Sequence, residues 1–193
     1  MRKLTITALL MLFATSLFAQ RGYNESCPKL YTGFSLGMEN PNGFIGFNFD
    51  VPVTQRFSLG TGAGLSTWGL KAFGEGRVYF KDCNRGPAIG LGATYNTGLS
   101  TLSTTLPTTT GDRDVSLVFE PSTNAFVSLY YFWNIGRRGH RIHTNIGYSY
   151  RFTDPVYRIT DGSELTSDGK TAIDVLAPGG FMVGFGMSFG VLR

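Results

Sequence analysis

The sequence is poor in charge. Asp, Glu, Lys and Arg make up only 16% of its 193 residues, against about 25% in ordinary soluble domains. Its formal balance of +4 falls to +2 once Arg2 and Lys3 are set aside. That is too mild to argue for nucleic acid as a partner. Beyond residue 20 there is no apolar run of the roughly 20 residues that a spanning helix needs, and helical periodicity is hard to find. Hydropathy alone would therefore read the mature chain as soluble. That inference fails for β-barrels, whose lipid face shows only at every second residue. The chain also lacks a G-X-Y period, and its low charge and high apolar content exclude disorder. Two cysteines and two histidines leave little room for metal or nucleophile chemistry.

What the chain has is glycine and aromatics. Glycine accounts for 26 residues, nearly twice the usual share of about 7%, and aromatics for 14%. The first segment, 1–19, reads as a signal peptide. Arg2 and Lys3 precede the apolar run Leu4–Phe18, and Leu17-Phe18-Ala19 offers a cleavage site before Gln20. The expected organisation is thus a signal peptide at 1–19, an N-terminal segment at 20–29 and one domain at 30–193.

After residue 30 the pattern alternates. Phe34, Leu36 and Met38 share one face, with Gly33, Ser35 and Gly37 on the other. Ile45, Phe47, Phe49 and Val51 stand against Gly46, Asn48 and Asp50. The terminal Phe181–Leu192 sets Phe181, Val183, Phe185, Met187 and Phe189 against glycine and serine. Comparable strands are expected over Phe57–Leu65, Leu70–Phe80, Ala88–Leu99, Ala125–Trp133 and Arg141–Phe152. That makes about eight strands, each of the roughly 8–12 residues that cross a bilayer at a tilt. Even-numbered connections (Pro52–Arg56, Lys81–Pro87, Asn134–His140) are short, as periplasmic turns should be. The two longest, about 100–124 and 153–180, are both odd-numbered and so fall outside the cell. A soluble barrel would have to cram Phe, Tyr, Leu and Ile inside and leave glycine outside. The opposite arrangement suits lipid, and closure removes the sheet edges that hydrocarbon forbids. The expected fold is all-β: an eight-stranded antiparallel up-and-down transmembrane β-barrel.

In pattern and topology the chain resembles the small eight-stranded outer-membrane barrels of the OmpA/OmpX type, in the glycine-rich form of the Bacteroidota. The resemblance covers roughly residues 28–193. It implies residence in the cell outer membrane among lipid and lipopolysaccharide, and insertion by the barrel assembly machinery. It also implies a monomer without cofactor or metal. Such barrels often end on an aromatic residue, whereas here Phe189 is followed by Gly190-Val191-Leu192-Arg193.

Charged residues at inward positions are the candidate site. Lys71, Glu75 and Arg77 share a face with Phe73 and Tyr79. Asp50 and Arg151 point the same way from other strands. Facing mid-bilayer lipid, Arg or Lys would cost about 2–4 kcal/mol, so these belong to the lumen and must pair there. They form either a structural plug or an ion path. His140 and His143 lie three apart, on opposite strand faces, which argues against chelation. Neither has a Ser two residues on, so no enzyme is expected. Cys27 and Cys83 fall on the same, oxidising side. They form a disulfide across the barrel base or remain two free thiols. Tyr79, Phe80, Tyr130, Tyr131 and Trp133 cluster at one end, and Tyr148, Tyr150 and Phe152 at the other; those that face outward read as interfacial girdles. The segment from Leu102 is Thr-rich and expected to be flexible. The carboxylates of 153–178 are too scattered for calcium. The functional expectation is a plugged barrel with a structural or surface-interaction role, through an extracellular ligand not specified by the sequence. The alternative is a narrow pore for small solutes or ions.

Overall fold

The computed structural model describes residues 27–108, 111–135, 139–160 and 164–192. The expected signal segment and cleavage point lie outside the described residues. In chain order the elements are β1 (Leu30–Met38), β2 (Ile45–Pro52), β3 (Phe57–Ser66), β4 (Gly69–Lys81), β5 (Arg85–Asn96), β6 (Leu99–Thr108), β7 (Gly111–Phe119), β8 (Ser122–Ile135), β9 (His140–Arg151), β10 (Tyr157–Ile159), α1 (Ser167–Leu176) and β11 (Gly180–Leu192).

Eight of these strands form one closed antiparallel barrel in the order β1-β11-β9-β8-β5-β4-β3-β2. Each pairs with the barrel strand before and after it in the chain. The last closes on the first, with Phe34 opposite Met187 and Leu36 opposite Phe185. The barrel strands match the expected ones to within a few residues at each end. The fifth departs most: it ends at Asn96 rather than Leu99, and Gly98, at φ +76°, turns the chain out of the wall. The end holding Cys27 and the start of β1 is called proximal below, and the other end distal. Two proximal turns are short, at 53–56 and 82–84.

The alternation reads directly into space. Outward side chains are apolar and exposed, Phe47 at 71% and Leu91 at 68% among them. Inward positions are buried and polar, aromatic or glycine. Side-chain size is shared unevenly around the wall. β4, β8 and β9 send in Phe73, Glu75, Arg77, Tyr79, Phe126, Tyr130, Arg141 and His143. β5, paired with β4 and β8, and β11, paired with β9, place glycine beside them. A Cβ on Gly90 would sit 2.6 Å from Glu75 Oε2 and 2.8 Å from the Tyr130 ring. One on Gly186 would sit 2.5 Å from His143 Cε1. Both are closer than real Cβ contacts come, so bulk on one strand requires glycine on the strand beside it.

The distal connections were expected as loops, the Thr-rich one flexible. Instead β6 and β7 form a hairpin, β10 adds to β7, and α1 packs beside them. The threonines have high strand propensity, and the partner strand comes from within the same connection. The helix escaped notice because only Gly169 and Ile173 are buried on it, too few for a periodic stripe. It is capped by Thr166, whose hydroxyl accepts from the Gly169 amide at 3.2 Å. This cap has its own apolar core: Trp68, Val115, Leu117, Phe119, Val156, Leu165, Ile173 and Ala177.

Candidate functional site

The barrel interior holds two separate groups of charges. The larger lies in its proximal half. Asp50 on β2 accepts hydrogen bonds from Arg77 Nη1 at 3.1 Å, from the Tyr79 hydroxyl at 3.1 Å, and from Arg141 Nη2. Arg77 Nη2 also donates to Glu75, which accepts from the Tyr130 hydroxyl at 3.0 Å. Arg141 Nη1 donates to the Asn84 carbonyl at 2.6 Å, in the turn that follows β4. Its guanidinium lies 3.7 Å from the Tyr31 ring centroid, and that of Arg77 lies 4.7 Å from the Tyr130 ring centroid. None of β2, β4 and β9 is a neighbour of another, so these bonds cross the interior. Two guanidiniums and two carboxylates balance formally. That balance makes full burial tolerable, since a lone buried ion is far more costly than a paired one.

The second group is distal. Lys71 Nζ donates to Glu39 Oε2 at 3.0 Å, and the same oxygen accepts from the Gly179 amide at 3.0 Å. Phe73, Phe126 and Met182 form a buried apolar cluster of their own in the distal half of the barrel. Of the five sequence-derived candidates, then, Asp50, Glu75 and Arg77 meet. Lys71 is buried apart from them. Arg151 points inward at the distal rim and donates to the Pro178 carbonyl at 3.4 Å.

Arg141 and Glu39 were absent from the candidate set. Arg141 was legible: it is two residues from His143 in the same alternation, so it had to point inward. Glu39 was not. It follows β1 at φ +50°, a backbone turn that sends its carboxylate back over the barrel mouth. His143 is buried, with its ring 5.0 Å from that of Phe132. His140 faces outward beside Phe189, its ring 5.5 Å away. Among the described residues no group of three or more His, Cys, Asp or Glu is arranged to hold a metal.

Cys27 and Cys83 are bonded, their Cα atoms 5.3 Å apart. The bond ties the segment before β1 to the β4–β5 turn. Cys83 and Asn84 both take positive φ, 59° and 53°. The turn thereby presents the Asn84 carbonyl to Arg141 and the Cys83 carbonyl to the Tyr31 hydroxyl, at 3.4 Å.

At the distal end Trp68 docks the cap. It occupies the turn between β3 and β4, fully buried, and stacks on Phe119 with ring centroids 3.7 Å apart. Its indole Nε1 donates to the Glu120 carbonyl at 3.2 Å. Thr67 beside it donates to the Leu176 carbonyl at the end of α1, at 3.1 Å. Burial, followed by Asp174 and Asp154, pushes the Tyr157 phenol above its ordinary pKa. The outward aromatics Phe80, Tyr131 and Trp133 stand near the proximal rim, and Tyr148, Tyr150 and Phe152 near the distal one. Tyr79 and Tyr130, from the same sequence clusters, are interior.

The fold and site define an all-β protein with a closed eight-stranded antiparallel barrel. Comparison of the chain with known protein families, curated proteins and solved structures finds no match.

Proposed function

We propose that this chain is a non-enzymatic outer-membrane barrel of the OmpA/OmpX type from a Gram-negative cell, closed along its lumen. Its structured distal cap would serve as a surface for interaction. One observation carries the reading: apolar side chains face out from every barrel strand while ionised groups are buried within. Water would invert that distribution, and lipid rewards it. The girdling aromatics at both rims support the same placement. A signal peptide at 1–19 supports export, with the assembly machinery as the expected route of insertion. The protein then works as a monomer among outer-membrane lipid and lipopolysaccharide. Its interior ion pairs and the Phe73–Phe126–Met182 cluster favour a plug over a pore. His143, enclosed against Phe132, offers no accessible base for lipid chemistry. Whatever the protein recognises, it meets through 97–121 and 152–179, the connections that fold into the cap.

The test is electrophoretic mobility of protein from a purified outer-membrane fraction, unheated against boiled in SDS. A heat-dependent shift is expected, since closed barrels resist cold SDS. Recovery in the soluble periplasm without a shift would reverse the assignment of the faces. Planar-bilayer recording should show no steady conductance, and a persistent ohmic current would favour the pore.

A further inference from the structure

The outer surface of the proximal rim carries a cleft of about 610 Å³ between the β4–β5 turn and the end of β8. Three cations line it: Arg56, Lys81 and Arg85. Asp82 is the one acid there, and Arg56 Nε holds its carboxylate at 2.7 Å. Arg85 Nε donates instead to the Asp82 carbonyl, at 3.1 Å, which fixes the guanidinium. Among the described residues no acid pairs with Lys81 or Arg85. The Lys81 stem is also held. It lies across Gly86, where an added Cβ would come within 2.9 Å of Lys81 Cδ. Gly86, at φ +73°, suits a residue without a side chain. The ammonium is therefore carried over the cleft by packing.

The cleft has a second wall of different chemistry. Phe80, Tyr131 and Trp133 line it on the outward face, all exposed, with the Tyr131 and Trp133 rings 4.5 Å apart. These rings continue the apolar belt of the barrel toward its proximal edge. A ligand suited to the site needs an anionic group at the basic end and an apolar body running up the aromatic end. Free phosphate would satisfy the first wall only. A phospholipid satisfies both. The wider charge balance points the same way. Lys29 adds to the three cations at the proximal end, where Asp82 is the one exposed acid among the described residues. The distal cap has the reverse balance, its described residues counting Asp112, Asp114, Glu120, Asp154, Glu164, Asp168 and Asp174 against Arg113, Arg158 and Lys170.

We infer that this cleft binds the headgroup of an anionic phospholipid from the leaflet at the proximal rim. Arg56, Lys81 and Arg85 meet the phosphodiester, and Phe80, Tyr131 and Trp133 flank the glycerol and upper acyl chain. The inference rests on the membrane placement proposed above. Interfacial aromatics anchor depth, and each basic group near an anionic surface strengthens binding about fivefold.

The experiment uses the refolded full barrel in lipid nanodiscs, with the heat shift on SDS gels as the check of folding. Retention of phosphatidylglycerol is compared with that of phosphatidylcholine, for the native protein and for Lys81→Gln/Arg85→Gln. Both side chains are exposed and take no part in the interior network, so the double variant should keep its heat shift. The native barrel should enrich phosphatidylglycerol, and the double variant should lose about 25-fold of that preference. Arg113→Gln on the cap should change nothing. Equal retention of the two lipids by a heat-shifting native barrel would overturn the lipid site and leave the membrane reading standing. So would an unchanged preference in the double variant. Inorganic phosphate displacing the lipid at millimolar concentration would overturn the lipid assignment in favour of a plain anion site. A native protein with no heat shift would overturn both readings together.

Discussion

The barrel and its cap bury opposite things. In the barrel, Asp50, Glu75, Arg77 and Arg141 are inside and phenylalanine is outside. In the cap, Trp68, Val115, Leu117 and Ile173 are inside, and Arg113 and Asp114 of β7 and Asp168, Lys170 and Asp174 of α1 face out. One polypeptide thus contains an inside-out half and a conventional half, joined at the turn that carries Trp68. The cap is organised as water requires, by removing apolar surface. The barrel has the reverse pattern, paired charges inside and apolar side chains outside, which is the arrangement the proposed lipid surroundings would favour. The boundary between the two patterns falls at the distal rim, beside the outward rings of Tyr148, Tyr150 and Phe152.

The largest effect should come from unbalancing the barrel interior. Asp50→Asn keeps the shape but leaves Arg141 without a carboxylate partner and Arg77 with Glu75 alone. Breaking a buried pair in this way costs about 3–5 kcal/mol. Urea unfolding in lipid vesicles should show the loss, with the cap core unaffected by protease until the barrel itself opens. Trp68→Ala tests the other half. Loss of a buried, stacked indole costs about 3–5 kcal/mol in a packed core. Here the loss should stay local: faster cleavage within 97–121 and 152–179, with the heat shift of the barrel retained. If Trp68→Ala abolished the heat shift, the two halves would be one cooperative unit.

The next effect, Leu91→Arg, should depend on the solvent. Leu91 is exposed at the middle of β5, with Gly76 opposite it on one side and Val127 on the other. In water an exposed Leu→Arg change is nearly neutral, within about 0.5 kcal/mol. Facing the bilayer midplane it costs about 2–4 kcal/mol. Unfolding of the native and variant proteins from vesicles decides between these values, and a neutral result would place this face in water.

The same contrast explains what the sequence could and could not tell. Barrel strands carry their environment in every second residue, so Phe181 through Phe189 against Gly184, Gly186 and Gly190 can be read without a partner. That the inward charges must pair followed from burial alone, but which partner each one takes, Asp50 with Arg77 and Arg141, did not. The Cys27–Cys83 bond was open from sequence, because a shared side of the membrane does not specify distance across the base. The cap is different. Its core draws on Trp68 from one turn, β7 from a second connection and α1 from a third, and no local period announces such a union. Thr-rich β6 reads as flexible until Val115 and Leu117 on β7 supply its partner. Glu39 looks like loop charge until the fold returns Lys71 and Gly179 to it.

The smallest effect concerns how the cap holds its helix. Thr166 serves two partners. Its hydroxyl accepts from the Gly169 amide at the start of α1, and it donates to the Pro107 carbonyl on β6 at 3.1 Å. One oxygen therefore both caps the helix and binds it to the hairpin. A helix of ten residues has little stability of its own, so these bonds set its position as much as its single buried Ile173 does. Thr166→Ala should cost about 1 kcal/mol. The cost should appear as faster amide exchange across 167–176, with the barrel strands unchanged. Thr166→Ser keeps the hydroxyl and should restore protection. If alanine left exchange in α1 unaltered, apolar packing against Leu165 and Val156 would be the dominant hold. The cap would then resemble the barrel in having its register set by burial alone, and differ from it only in which residues are buried.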